Sequence, residues 1–396
     1  MEITRRRKMS KANQSAMILS VVLMIVLAVL LVIDGQQNKK LSQELTEAAK
    51  RQAAEKKAFL ETVESEYKSD MAVVGQYLPG IVCWGDSLTA GAGGDGVTYP
   101  KVIQTLIQEN ICDPYDPGED INRKYAYLLD DADYKVEIPV VNMGVGGETS
   151  ITIVGRNGAI PYVVKDALTI PGDTTPVEIH FTSKEGQHVA PLRQLHSGVN
   201  PVIIGGVEGT LSIQQESWMS KEYSYYFTRT APGESKVILP GTEIVTAASS
   251  QYLDHITVIF IGTNLGYTDI PDLIRQQRAI IDHQTANQDR FIIVGLHTET
   301  SESRRELEEA MQEEYGDNYI NLREYMATQA MKDAKLTPTA QDLAMMEEGA
   351  TPASLLSDEI HFNATGYELI GKLLYNKMVE LGYFEEVRQA LTNNGN

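Results

Sequence analysis

Four short stretches of this sequence hold side chains suited to acyl transfer. Gly85-Asp86-Ser87-Leu88 offers a serine hydroxyl, a nucleophile once a base takes its proton. Asp358-Glu359-Ile360-His361 offers that base, with a carboxylate three residues before the imidazole. Residues at that spacing share one side of a turn, so Asp358 can hold one ring nitrogen and leave the other free to face Ser87. Developing negative charge on a carbonyl oxygen needs hydrogen-bond donors. The Ser87 N–H, the Asn264 carboxamide and the Gly144 N–H, unobstructed by a side chain, are the candidates. Asn142 and His297, each at a predicted strand end, are candidates for lining the substrate pocket.

These residues can act together only if the fold gathers them. Ile81-Val82-Cys83-Trp84, Val136 to Val141, Ile256 to Ile261, Phe291 to Gly295 and Tyr319 to Leu322 are short apolar runs. They alternate with amphipathic segments, which predicts parallel strands with helices on both faces. Ser87, Asn142, Gly144 and Asn264 all come after predicted strands. They should therefore meet at the carboxyl edge of the sheet, where ligands of such sheets bind. Asn363 is placed to cap a closing helix that runs through Leu381. Between about Asn157 and Ser250 the helical period vanishes. Alternating runs such as Val177-Glu178-Ile179 and Tyr223 to Thr228 are separated by Pro-Gly, Ser-Gly and Gly-Gly turns, which predicts a small antiparallel β sandwich or barrel inserted into the α/β unit.

Taken in order, Gly85-Asp86-Ser87-Leu88, Asn142-Met143-Gly144-Val145-Gly146-Gly147, Gly262-Thr263-Asn264 and Asp358-Glu359-Ile360-His361 resemble the four blocks of the SGNH (GDSL-like) hydrolase family. The resemblance covers about 77–152 and 251–385. It implies a flavodoxin-like three-layer α/β/α sandwich and a serine esterase that needs no metal or other cofactor. It also implies Ser87 as nucleophile, His361 as general base and then acid, Asp358 as its orienter, and an oxyanion hole from Ser87, Gly144 and Asn264. Two positions depart from the family pattern. A serine common before the second-block glycine pair is absent, and Leu265 stands where an aspartate commonly follows the asparagine. Both bear on the pocket wall, so the substrate does not carry over.

The rest of the chain sets the context. The formal net charge of −20 over 396 residues argues against nucleic acid as a partner, because phosphate binding needs basic surface. Arg5, Arg6, Arg7, Lys8 and Lys11 precede an uncharged apolar run from Ala16 to Ile33. That run approaches the roughly 20 residues of a membrane-spanning helix, and the basic flank predicts a cytoplasmic N-terminus with everything after Asp34 outside. The organisation expected is a basic tail over 1–15, an anchor over 16–33 and a helical stalk over 34–72. Hydrolase segments follow over 73–156 and 251–396, with the β-rich insert over 157–250. Cys83 and Cys112, the only cysteines, read as free thiols, and the acidic stretch 112–135 reads as a solvated loop without calcium-binding spacing. Gly91-Ala92-Gly93-Gly94-Asp95-Gly96 has dinucleotide-loop spacing but follows the serine turn instead of a strand end. Tyr223, Tyr225, Tyr226 and Phe227 suit either sugar stacking or the core of the insert. The function expected is an extracytoplasmic esterase, with O-acetyl on a glycan as one substrate. The same residues would serve lipid or aryl ester hydrolysis or O-acyl transfer. A surface module that binds glycan or protein through the insert is the non-enzymatic alternative.

Overall fold

A computed structural model describes residues 46–62, 78–112, 137–194 and 198–394, together with the single positions 20, 43 and 65. The expected anchor over 16–33, apart from position 20, and most of the acidic stretch therefore lie outside the described residues. Among the described residues no helix is long and apolar enough to cross a membrane. Residues 46–62, within the expected stalk, are helical and largely exposed.

The compact unit built from Gly75–Ile111 and Ile138–Arg388 contains both sheets. The first has five parallel strands: β1 (Ile81–Gly85), β2 (Val140–Gly144), β3 (Ile256–Phe260), β4 (Phe291–Val294) and β5 (Tyr319–Ile320). Their order is β5-β4-β3-β1-β2. This is the flavodoxin-like order, in which the chain switches direction between β1 and β3 and opens a crevice at their carboxyl ends. Every residue of β1, β3 and β4 is buried, because both faces of the sheet are covered. The principal helices are α1 (Ser87–Ala90), α2 (Tyr99–Ile107), α3 (Ser150–Asn157), α4 (Ile270–His283), α5 (Ser301–Tyr315) and α6 (Ala364–Glu380). They form two groups, α2 against α6 and α3 against α4, with α4 also meeting α5.

Local chemistry sets where these helices start. Thr98 accepts from the Lys101 N–H at the head of α2, and Asp269 accepts from the Asp272 N–H at the head of α4, next to Pro271. Strand β2 begins later than its apolar run suggests and ends in Gly144. Asn142 and Gly144 are therefore strand residues, in register with Cys83 and Gly85, instead of loop residues beyond the strand. Cys83 and Cys112 are both buried and unbridged.

The second sheet has seven antiparallel strands drawn from residues between Tyr162 and Val245. Its longest pair, Val207–Gln215 with Tyr223–Arg229, runs from Gly209 opposite Arg229 to Gln215 opposite Tyr223. The alternating burial of Val207–Gln215 is that of a sheet with one face packed and one face wet. Phe227 and Tyr225 lie in its core, and Tyr223 is half-buried at its rim. A separate two-stranded ribbon pairs Leu168–Ile170 with Lys236–Ile238.

Candidate active site

Ser87 is the first residue of α1, directly after β1. Asp86 caps that helix, its Oδ1 accepting from the Leu88 N–H at 3.0 Å. The helix can sit this close to the sheet only because two register partners lack side chains. A Cβ on Gly85 would fall 2.0 Å from Thr89 Oγ1, and one on Gly144 would fall 2.1 Å from the Ala90 nitrogen. Asp86 is fully buried, and burial pushes its carboxyl up to about 6 against the pull of the Leu88 N–H.

The partner of Ser87 comes from the other end of the chain. His361 Nε2 lies 2.9 Å from Ser87 Oγ, and His361 Nδ1 lies 2.7 Å from Asp358 Oδ2. Asp358 Oδ1 accepts the N–H groups of Ile360 at 2.8 Å and His361 at 2.6 Å. Partial burial works against the charged carboxylate. The backbone donors of His361 and Ile360, with the imidazole, outweigh it and hold Asp358 at about 2. The turn carrying the pair is closed by a bridge between Leu356 and Phe362 and by Ser357 N–H donating to the His361 carbonyl at 2.8 Å. Asn363 then caps α6, its Oδ1 accepting from Gly366 N–H at 3.1 Å while its Nδ2 donates to the Ser354 carbonyl at 2.8 Å. The glycine-rich turn after α1 packs against this loop. A Cβ on Gly93 would meet Ser357 Oγ at 2.0 Å, and Tyr367 donates to the Ala92 carbonyl. Its spacing thus serves packing.

The candidate oxyanion donors divide. Asn264 lies in the turn after β3 and donates through Nδ2 to the Glu148 carbonyl at 3.1 Å, which fixes the carboxamide and leaves its second N–H uncommitted among the described residues. The Gly144 N–H is committed: it donates to Asn142 Oδ1 at 2.9 Å, while Asn142 Nδ2 donates to the Thr89 carbonyl at 2.8 Å. Asn142 therefore braces α1 against β2 and does not line a pocket through its amide. Among the described residues the N–H groups of Ser87 and Gly147 have no acceptor. Gly147 has φ of +72°, a left-handed conformation that turns the backbone after Gly146.

That turn is anchored on both sides. Val145 N–H donates to the Gly85 carbonyl at 3.1 Å, and beneath it Arg156 pairs with Glu148 at 2.7 Å, both side chains essentially buried. Arg156 also donates to the Met143 carbonyl and lies over the Trp84 ring. Burial lifts the Glu148 carboxyl and Arg156 pulls it back. Sequence patterning does not reveal this pair, because Glu148 follows a glycine turn and Arg156 sits in an apolar helix.

His297 does not line a pocket. It is 2 % exposed, with its ring 4.1 Å from that of Phe362 and its Nδ1 within 3.3 Å of Thr351 Oγ1. Burial drives it down to about 3, so it packs as a neutral ring beneath the His361 loop. Leu265, beside Asn264, is 64 % exposed at φ +59°.

The arrangement is one in which a hydroxyl can lose its proton to an oriented imidazole. No family model matches the chain, and no curated protein matches it. Among solved structures, one described as "Peptidoglycan O-acetylesterase in action, 5 min" aligns with 82 % of this chain and 95 % of its own, at 11 % identity and a TM-score of 0.30, a likeness too slight to bear on fold or chemistry.

Proposed function

We propose that this chain is a serine esterase of the SGNH (GDSL-like) type, hydrolysing an acyl ester through a covalent acyl-enzyme. The observation that carries the reading is the continuous contact from Ser87 Oγ through the His361 ring to Asp358, at 2.9 and 2.7 Å. In this reading Ser87 Oγ attacks the ester carbonyl and His361 Nε2 takes its proton. Asp358 holds the ring and stabilises the imidazolium. The oxyanion is received by the Ser87 N–H, the free N–H of Asn264 and the Gly147 N–H, the last replacing Gly144, whose hydrogen is already bonded. His361 then gives its proton to the leaving alcohol. Water, deprotonated by the same ring, releases the acid and restores Ser87.

The basic flank and the apolar run over 16–33 support a membrane tether with the esterase outside the cytoplasm. An O-acyl group on a glycan is a substrate suited to that position. A fluorophosphonate probe tests the chemistry: it should label the wild type at Ser87 and leave Ser87→Ala unlabelled. An unlabelled wild type, folded by circular dichroism, would remove the esterase and leave the non-enzymatic binding module.

A further inference from the structure

We infer that the antiparallel sheet supplies the site for the alcohol half of the ester, and that this half is a single pyranose ring of a carbohydrate held against Trp218. The inference rests on the esterase reading for its place in catalysis, but its evidence lies elsewhere in the fold.

A cavity of about 170 Å³ separates the Gly146-Gly147 turn from the second sheet. It is lined by those two glycines, Thr149, Arg193, Gln194 and Trp218 among others. Its size is close to the roughly 150 Å³ that admits one benzene ring, so it suits one six-membered ring and no extended chain. The turn on its near wall is the one bonded to Gly85, two residues before Ser87, and to the Asn264 side chain through Glu148. A ring placed there lies beside the proposed oxyanion donors.

The far wall is built. Trp218 is 55 % exposed, an unusual position for the larger of the apolar side chains, yet its backbone is pinned. Arg193 donates to the carbonyls of Trp218 and Ser220 and to Gln215 Oε1, and Gln215 Nε2 returns a bond to the Arg193 carbonyl at 2.8 Å. The guanidinium lies 4.2 Å from the Tyr223 ring centre, and the Tyr223 hydroxyl meets His188 Nε2 at 2.7 Å. Arg193 is thus spent on holding the loop. Among the groups left for a ligand are the indole and the Gln194 carboxamide, which has no hydrogen-bond partner among the described residues. That carboxamide rests on the glycine turn. A Cβ on Gly146 or Gly147 would come within 2.4 or 2.6 Å of it. An aromatic face beside a planar amide matches a sugar ring, whose C–H face stacks on the indole while neighbouring hydroxyls bond the amide. A long acyl chain would call for an apolar tunnel instead.

Two measurements test this. In the first, kcat/KM for the positional isomers of mono-O-acetyl methyl glucopyranoside is compared with that for p-nitrophenyl acetate. Trp218→Ala and Gln194→Ala should each lower the sugar-to-aryl ratio by about tenfold or more, chiefly through KM, while Trp218→Tyr keeps most of it. A ratio unchanged in both alanine variants overturns the inference, as does a wild type that cleaves only the aryl ester. In the second, Ser87→Ala is titrated with the same sugar esters and tryptophan emission is followed. Trp84, the only other tryptophan, is fully buried, so a ligand-induced change reports Trp218. A saturable change, weakened by adding Gln194→Ala, is expected. No change overturns the sugar site. Failure of the esterase reading shows separately, as no aryl ester turnover and no fluorophosphonate labelling, and the emission titration still decides the site.

Discussion

Asp358 receives two backbone N–H groups and the imidazole, and that makes it a fixed anion over the whole working range of pH. Removing its charge while keeping its shape, in Asp358→Asn, should lower kcat on the order of 10⁴-fold. A loss under tenfold would place the orienting charge elsewhere. Asn264→Ala deletes one of the proposed oxyanion donors and should lower kcat by roughly 10²–10³ with little change in KM. Asp86 and His297, two of the buried titratable groups near the site, pull stability in opposite directions. Asp86, at about 6 when folded against an ordinary 3.8, binds its proton more tightly in the native state. Its contribution is full below about 4 and is lost as pH rises through about 6. His297, at about 3 against 6.5, contributes fully above about 6.5 and loses that contribution as pH falls toward 3. Between about 4 and 6 the two oppose each other. Asp86→Asn keeps a capping side chain and removes one of them. Its unfolding free energy at pH 7.5 should rise on the order of 2 kcal/mol, and its stability should fall more steeply on acidification below about 6. Denaturant melts from pH 4 to 8 measure this, and a curve parallel to wild type would contradict it. At this scale the contact of Asp358 with His361 was legible, because a three-residue spacing before an asparagine-capped helix is local geometry. Which glycine N–H stays open was not. That depends on Asn142 reaching across to Gly144, a choice between acceptors that spacing does not encode.

The site rests on elements that approach more closely than side chains allow. Helix α1 lies on the ends of β1 and β2 because Gly85 and Gly144 are opposite each other. Gly144→Ala would place a methyl against the Ala90 backbone, and either α1 or β2 must move. Stability should fall by about 2 kcal/mol or more, and activity should fall further than stability, since Ser87 opens that helix. Melting and kinetics on the same preparation separate the two effects, and a variant that loses stability but keeps kcat would show that α1 can shift without moving Ser87. The parallel strands were legible from continuous apolar runs, and α6 from Asn363 at its head. The position of β2 was not legible, because its last residues are polar or small and are held by pairing with β1 instead of by their own hydrophobicity. The glycine-rich turn after α1 shows the same limit: one spacing serves phosphate cradling in one setting and close packing in another, and the contact with Ser357 distinguishes them.

On the scale of the whole molecule, the mixed α/β architecture was readable from the change of hydrophobic period at either end of the inserted segment. How that segment folds back was not. Seven strands that pair through β turns and long returns leave no one-dimensional trace of their order, and the Arg193 brace joins residues that no motif connects. The strand order has a further consequence for how the protein comes into being. Strand β1 must wait for β3, which the chain supplies only after the entire second sheet, and the imidazole facing Ser87 lies 274 residues further along. A chain made from its amino end therefore carries Ser87 in a half-made cleft until the later segments follow. In the esterase reading, a product terminated before His361 has a nucleophile without its base and cuts no ester.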